Sequence, residues 1–224
     1  MGNLRLYMAP GSCSTAVHIL LEEIGEVFEA HIVNIPRGEN RRPDYLAINP
    51  RGTIPALLRR DGSALTELLA IVTWLGQSYP KAGLWFADAA EEARAQTIMR
   101  HVAVTTHGEG FARVFTANGF GSDPADRPEV IATGRRIASD SFDWLAAAIA
   151  PEGYAMGGYS AVDPVLFYVE FWADKTAIPL PQRLARHYAL MLNRPVVRRV
   201  LREEGYALDR LGLAPAAGSG PARP

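Results

Sequence analysis

The hydrophobic pattern of the chain changes near residue 86, and this change constrains the fold more than any other feature. Before it, short segments typical of strands alternate with segments typical of helices, whereas only helical patterns follow it. Such an alternation predicts a small α/β unit. We therefore expect an α/β domain at residues 1–80, a linker at 81–88, an all-helical domain at 89–211 and a disordered tail at 212–224.

The first 80 residues predict the element order β-α-β followed by β-β-α. The segment LRLYMA contains strand formers, and apolar residues then recur at helical spacing from Val17 to Ile24, before Gly25. The segment VFEAHIVNI predicts a second strand. Two further segments, PALLRR and SALT, predict a hairpin around an Asp-Gly turn, and ELLAIVTWLGQSYP predicts a helix.

The second half carries start signals for several helices. Asp88 precedes an acidic first turn, which is typical of a helix N-terminus. Ser160 and Asp163 have the spacing of a capping box, in which each side chain satisfies a free amide. Glycines 108 and 110 each cost about 1 kcal/mol of helix propensity, so we expect a bend or a close approach there.

Composition excludes several classes of function. The chain has 23 Lys and Arg against 24 Asp and Glu, so we expect no general attraction to nucleic acid or anionic membranes. Its apolar runs are far shorter than the ~20 residues of a membrane span, and its start lacks the apolar run of a secretory signal. A single cysteine cannot supply a Cys-rich metal site. We expect a cytoplasmic protein without a bound metal.

The only cysteine, Cys13, lies where the first predicted helix begins, just after Pro10 and Gly11. Free amides and the helix dipole favour a thiolate there, and such sites lower a cysteine pKa to about 3.5–7.5. Ala16 stands where a dithiol oxidoreductase has its second cysteine. A mixed disulfide on Cys13 can therefore be resolved only by a thiol from solution, such as glutathione. The alternative is a small buried hydrophobe. The residues alone leave these two interpretations balanced.

Two other stretches carry candidate binding residues. Pro55 opens a predicted strand, where a proline indicates an edge or an unusual backbone shape. A cis Ile54-Pro55 bond would cost about 0.5–1 kcal/mol and turn the Ile54 backbone toward an extended peptide, and an ordinary trans proline is the alternative. Glu67 is either a first-turn acid or a partner for a ligand ammonium, with nearby helix amides holding a ligand carboxylate.

Three stretches resemble, in this order, the cytosolic glutathione S-transferase family, most closely its bacterial beta class: APGSCSTAVHILLEEIG, YLAINPRGTIPALLRRDGSALTELLAIVTWL and HGEGFARVF. The resemblance covers about residues 4–205. It implies a thioredoxin-like α/β N-terminal domain, an all-α C-terminal domain, glutathione as co-substrate and a homodimer.

The resemblance assigns roles to individual residues. Cys13 matches the cysteine that contacts or disulfide-bonds the glutathione sulfur, and Ile54 precedes a proline, Pro55, that is cis in the family. Glu67 and Leu68 match the positions that hold the γ-glutamyl end. Leu68 replaces a small or hydroxylated residue, so one ligand hydrogen bond, typically worth about 0.5–1.5 kcal/mol, is missing.

The resemblance also places His107 at the active site and Arg100 near a polar position of the same helix. At α-helical spacing one face would carry Arg100, Val104, His107, Phe111 and Phe115. The hydroxyls of Ser12, Ser14 or Tyr7 would favour the glutathione thiolate. The expected apolar substrate pocket consists of Tyr7, Phe111, Phe115 and Trp172.

The function that these features predict is a glutathione S-transferase with a cysteine-type site, which reacts glutathione with a small apolar electrophile or a disulfide. One alternative is a zeta-like cis-trans isomerase, because GSCS resembles the zeta-class signature SSCS. Another is a scaffold of the same fold that binds ligands or partners without turnover. Cys13 and Glu67 argue against the scaffold, whereas Leu68 keeps it open.

Overall fold

The computed structural model describes residues 2–121 and 123–211 of the chain. The tail predicted at 212–224 lies outside these described residues. Within them, one contiguous hydrophobic core connects the α/β half to the helical half.

The N-terminal half is a four-stranded sheet with helices. Its strands are β1 (Leu4–Met8), β2 (Phe28–Ile32), β3 (Ala56–Leu58) and β4 (Ala64–Thr66), and its helices are α1 (Ser14–Ile24), α2 (Pro43–Leu46) and α3 (Leu68–Ser78). The strand order is β2-β1-β3-β4, with β1 parallel to β2 and antiparallel to β3, and β3 antiparallel to β4. The predicted order β-α-β, β-β-α and the thioredoxin-like fold are confirmed.

The C-terminal half is helical, as predicted. Its elements are α4 (Ala89–His101), a π-helical segment (Val102–Phe111), α5 (Ala112–Phe115), α6 (Arg127–Ala148), α7 (Val162–Thr176), α8 (Gln182–Asn193) and α9 (Pro195–Glu203). Asp88 caps α4 by accepting from the amides of Ala90 and Glu91. No helix within the described ranges has both the length and the hydropathy needed to cross a membrane.

The π-helical segment lies where the two glycines predicted a bend or a close approach. A Cβ added to Gly110 would come within 3.1 Å of the Ala138 amide nitrogen of α6, and one added to Gly134 of α6 would come within 2.7 Å of the Gly110 carbonyl oxygen. Backbones can approach this closely only when the side chain is absent. The close approach is therefore present, and the helix changes its hydrogen-bond register there.

Helix α7 forms the centre of the helical half. The Ser160 amide donates to the Asp163 carboxylate at 2.6 Å, and the Ser160 hydroxyl donates to it at 3.1 Å. Asp163 also lies 3.0 Å from Nε2 of His187, whose Nδ1 lies 2.9 Å from Glu170. Burial lowers the pKa of His187, but these two carboxylates outweigh it and raise that pKa to about 10. The predicted capping box is thus part of a buried ionic network.

Candidate active site

A cavity of about 430 Å³ lies between the α/β half and the helical half. Its lining consists of Cys13, Arg51, Thr53, Ile54, Glu67, Leu68, Leu69, Ala103, Val104 and His107. The structure therefore brings together five of the residues selected from the sequence, which are Cys13, Ile54, Glu67, Leu68 and His107.

Cys13 occupies the N-cap position of α1, and only 6% of it is exposed. Its Sγ donates to the Ile54 carbonyl oxygen at 3.7 Å. Burial raises the pKa of this thiol to about 12, and the Glu67 carboxylate adds to the rise, although the amides of Cys13 and Ser14 oppose it. The expected low thiol pKa is therefore wrong for the free protein, because desolvation outweighs the helix N-terminus.

The loop before β3 presents Ile54 to the cavity, and the Ile54-Pro55 bond is cis. Two side chains that the sequence analysis did not select hold this loop by its Thr53 carbonyl. The Tyr45 hydroxyl donates to that oxygen at 2.5 Å, and the Asn49 amide donates to it at 2.7 Å. Pro55 itself is buried and does not line the cavity.

Glu67 lies in the same lining as Cys13 and directly precedes helix α3. Its backbone has φ 71° and ψ 124°, and the other described non-glycine residue with positive φ is Ala177. Such a conformation costs about 1–3 kcal/mol and is characteristic of functional sites. The Glu67 carboxylate is about half exposed and lies 3.3 Å from the Arg51 guanidinium. Arg51 was not among the residues predicted for the site, although it belongs to the same NPRGTIP stretch as Ile54.

The first turn of α3 begins directly beside these charges. Among the residues that the structure describes, no side chain caps its N-terminus, so the amides that start at Leu68 have no side-chain capping partner there. An uncapped helix N-terminus favours an anion such as a carboxylate. This end of the cavity thus combines an acid, Glu67, with a cation and helix amides.

His107 lies in the π-helical segment and contacts two aromatic residues of α7. Its Nδ1 lies 3.3 Å from the Tyr168 hydroxyl, and its ring meets Trp172 edge-on at 4.8 Å between centroids. Burial lowers the pKa of His107 to about 4, so the imidazole is neutral at pH 7. Tyr168 was missed because the apolar run around it is typical of an ordinary core helix.

The hydroxyl groups expected at the cavity lie elsewhere. Ser14 is fully buried, and its Oγ donates to the Ala9 carbonyl at 3.1 Å, while the Ser12 Oγ lies 2.7 Å from it. Tyr7 stacks on His31 at 5.0 Å and lines a separate groove of about 330 Å³. Tyr7 projects from the half-exposed face of β1 and does not line the cavity beside Cys13, so its place in the substrate pocket stays a prediction.

Only part of the predicted face from Arg100 to Phe115 lines the cavity. Val104 and His107 line it, and His107, Phe111 and Phe115 all pack on the Trp172 ring. Arg100 is exposed and does not line the cavity, and Phe111 is fully buried in the core. Phe115 is 51% exposed and packs edge-on against Trp172. Arg100, Phe111 and Phe115 therefore do not line the cavity. Its apolar wall in the helical half is formed by Ala103 and Val104.

The whole-length comparison decides the family. The chain is 32% identical over 209 residues to the glutathione S-transferase GstA of Escherichia coli O157:H7, which covers 90% of this chain and 99% of that protein. The chain belongs to the glutathione S-transferase family. Residues 11–78 also match the family model described as the glutathione S-transferase N-terminal domain.

Two further comparisons refine the family assignment. A glutathione transferase homologue from Sulfitobacter, solved with bound glutathione, superposes with a TM-score of 0.83 at 30% identity and covers 91% of this chain and 99% of that chain. A maleylacetoacetate isomerase of Pseudomonas aeruginosa is 35% identical over 107 residues, which are 46% of this chain and 50% of that protein. These two transferases thus match nearly the whole chain, whereas this isomerase matches about half.

Proposed function

We propose that this glutathione transferase binds glutathione in the cavity between its two halves and uses the glutathione sulfur to attack a small apolar electrophile. The observation that carries the proposal is the convergence of Cys13, Ile54, Glu67 and His107 on one cavity of about 430 Å³. A cavity with a few convergent polar groups is the usual form of a small-molecule site.

The charged end of the cavity fits the γ-glutamyl end of glutathione. The Glu67 carboxylate pairs with the ligand ammonium, and Arg51 with the α3 amides attracts the ligand carboxylate. The Leu68 side chain adds no hydroxyl there, so its backbone amide is its polar contribution. Ile54 presents its backbone to the middle of the tripeptide.

The sulfur end of the cavity contains two neutral groups. At pH 7 a thiol of pKa about 12 is protonated, and an imidazole of pKa about 4 is uncharged. His107 therefore serves as a hydrogen-bond donor to the glutathione thiolate, as does Cys13 when its single S–H turns from the Ile54 carbonyl to the ligand, and bonds to a charged acceptor are the stronger kind. Because only a thiolate attacks a disulfide, we place disulfide exchange by free Cys13 second to attack by glutathione itself.

A glutathione-dependent cis-trans isomerase is the second candidate. The maleylacetoacetate isomerase whose segment is 35% identical to this chain favours it. Both reactions need glutathione bound with a nucleophilic sulfur, so the cavity geometry serves either one. They differ in the product, since an isomerase releases glutathione unchanged and a conjugating enzyme does not.

The test combines binding with product analysis. We expect calorimetry to show saturable glutathione binding that Glu67→Gln weakens, and mass spectrometry to show a glutathione conjugate of a chlorodinitrobenzene. Glu29→Gln is the matched control, because Glu29 lies on the edge strand β2 away from the cavity. No binding at millimolar glutathione would refute the proposal, and isomerised maleylacetone without any conjugate would establish the second candidate.

We also propose that the chain acts as a homodimer, as the family resemblance implies. Light scattering of the purified protein would then give twice the chain mass of 24.4 kDa. A mass of one chain at micromolar concentration would refute the dimer without affecting the cavity.

A further inference from the structure

We infer that Glu204, which directly follows α9, is a positioning residue that holds the Cys13 loop in place. One carboxylate oxygen of Glu204 accepts from the Gly11 amide at 2.7 Å and from the Thr15 hydroxyl at 2.7 Å. Gly11 lies two residues before Cys13 and Thr15 two residues after it. A single atom from the helical half thus fixes both sides of the thiol, and the functional meaning rests on the proposed function.

The Gly11 peptide is held at both of its polar groups. Its amide donates to Glu204, and its carbonyl accepts from Nε1 of Trp172 at 2.7 Å. Gly11 has φ 71°, and a Cβ at this position would overlap the Tyr206 hydroxyl. Three side chains of the helical half therefore enclose this peptide, and only glycine fits among them.

The Glu204 carboxylate is itself constrained. Its side chain is 1% exposed, and its second oxygen lies 3.0 Å from Nδ1 of His18 on α1. A buried carboxylate is stable only when its hydrogen bonds are satisfied. The Gly11 amide, the Thr15 hydroxyl and Nδ1 of His18 lie at hydrogen-bond distance from this one. Removing it would leave the Gly11 amide and the Thr15 hydroxyl buried without their acceptor.

The consequence concerns the thiol directly. Cys13 lies between the two residues that share the Glu204 oxygen, and its Sγ is directed to the Ile54 carbonyl at 3.7 Å. The hydrogen bonds from Gly11 and Thr15 to Glu204 keep the Cys13 Sγ in this buried position in the cavity. Without the Glu204 carboxylate, the loop around Cys13 would relax and water would reach the thiol.

The structure offers a matched control for a purely structural role. Glu23 near the C-terminus of α1 pairs with Arg194, which precedes α9, at 2.5 and 2.9 Å. This pair ties the same two helices together, but at the end of α1 remote from Cys13. Glu23→Gln therefore weakens the contact between the halves without releasing the loop.

The experiment measures alkylation of Cys13 by iodoacetamide, followed by intact mass at pH 7 to 10. Since Cys13 is the only cysteine, each adduct reports that thiol alone. We expect Glu204→Ala to react at least about tenfold faster at neutral pH, because an exposed thiol has a lower pKa. Glu204→Gln retains an oxygen for both hydrogen bonds and should stay within about threefold of wild type, as should Glu23→Gln.

Two results would overturn the inference: folded Glu204→Ala that reacts at the wild-type rate, or equal acceleration in Glu204→Ala and Glu23→Gln. If Glu204→Ala does not fold, two other variants each remove one hydrogen bond that holds the Cys13 loop: Thr15→Val removes the bond to Glu204, and Trp172→Phe the bond to the Gly11 carbonyl. Unchanged alkylation rates in both variants would overturn the inference. Alkylation requires no glutathione. A wild type that fails to bind glutathione therefore refutes the proposed function but leaves this result standing.

Discussion

The Nδ1 atom of His107 lies 3.3 Å from the hydroxyl oxygen of Tyr168. That hydroxyl makes no second hydrogen bond within the part of the chain that the structure describes, and burial keeps its pKa well above the usual value. Tyr168 is therefore the donor and Nδ1 the acceptor, which places the imidazole proton on Nε2. His107 lines the cavity, so this proton is available to the glutathione sulfur.

Tyr168→Phe tests this arrangement with little change in volume. Without the donor, the imidazole loses its fixed tautomer, and we expect kcat to fall about tenfold while the glutathione Kd changes less than about threefold. Steady-state conjugation and calorimetry measure the two quantities. Tyr188→Phe is the control, because the Tyr188 hydroxyl donates to Asp174 instead. Equal losses in both variants would contradict the assigned role.

The low pKa of His107 predicts the pH dependence of turnover. Burial lowers this pKa to about 4, so the imidazole stays neutral from pH 5 upward and contributes no inflection near 6.5. We expect wild type and His107→Asn to have parallel profiles of kcat/KM between pH 5 and 8, with the variant lower throughout. An acidic limb near pH 6.5 in wild type that His107→Asn abolishes would show that the imidazole titrates.

Glu67 predicts a trade-off between stability and binding. Glycine adopts φ 71° without strain, so Glu67→Gly should raise the stability by about 1 kcal/mol while glutathione binding weakens at least about tenfold. Ala177→Gly is the matched control, because Ala177 has φ 52° and does not line the cavity. It should gain stability without a change in Kd. Thermal unfolding and calorimetry measure both effects, and unchanged binding by Glu67→Gly would contradict the account.

His187 predicts how stability changes with alkaline pH. Its pKa is about 10 in the fold against an ordinary 6.5, so its charged form stabilises the fold fully below pH 6.5, and that contribution is lost as pH rises to 10. We expect the urea midpoint to fall across this window in wild type. His187→Gln should be less stable at pH 6 and should lack this part of the fall. A wild-type midpoint that stays level from pH 6.5 to 10 would be inconsistent with a charged His187.

Much of the fold follows from local patterns. The apolar spacing before Gly25 marks α1, and the structure ends α1 at Ile24 with Gly25 in the left-handed region. Asp88, Ser160 and Asp163 likewise mark helix starts through their own side chains. These signals act over a few residues, so a sequence displays them directly.

The parts that could not be predicted depend on tertiary contacts. Phe111 packs with His107 and Phe115 around Trp172, yet it is fully buried in the core and does not line the cavity, which depends on how α6 and α7 pack against it. The thiol pKa of Cys13 depends on burial by both halves, which outweighs the local helix N-terminus. Glu204 is about 190 residues from the loop it holds, and no local pattern connects the two.

The most direct test of the central claim is a titration of protein carrying ¹³C only at the Cys13 Cβ, followed by NMR. A single cysteine gives a single resonance. If glutathione binds with its sulfur beside Cys13, this resonance shifts saturably with the Kd that calorimetry reports, and Glu67→Gln moves both measurements to higher concentration together. Calorimetric binding that leaves the Cys13 resonance unchanged would contradict the account, because glutathione would then occupy another site.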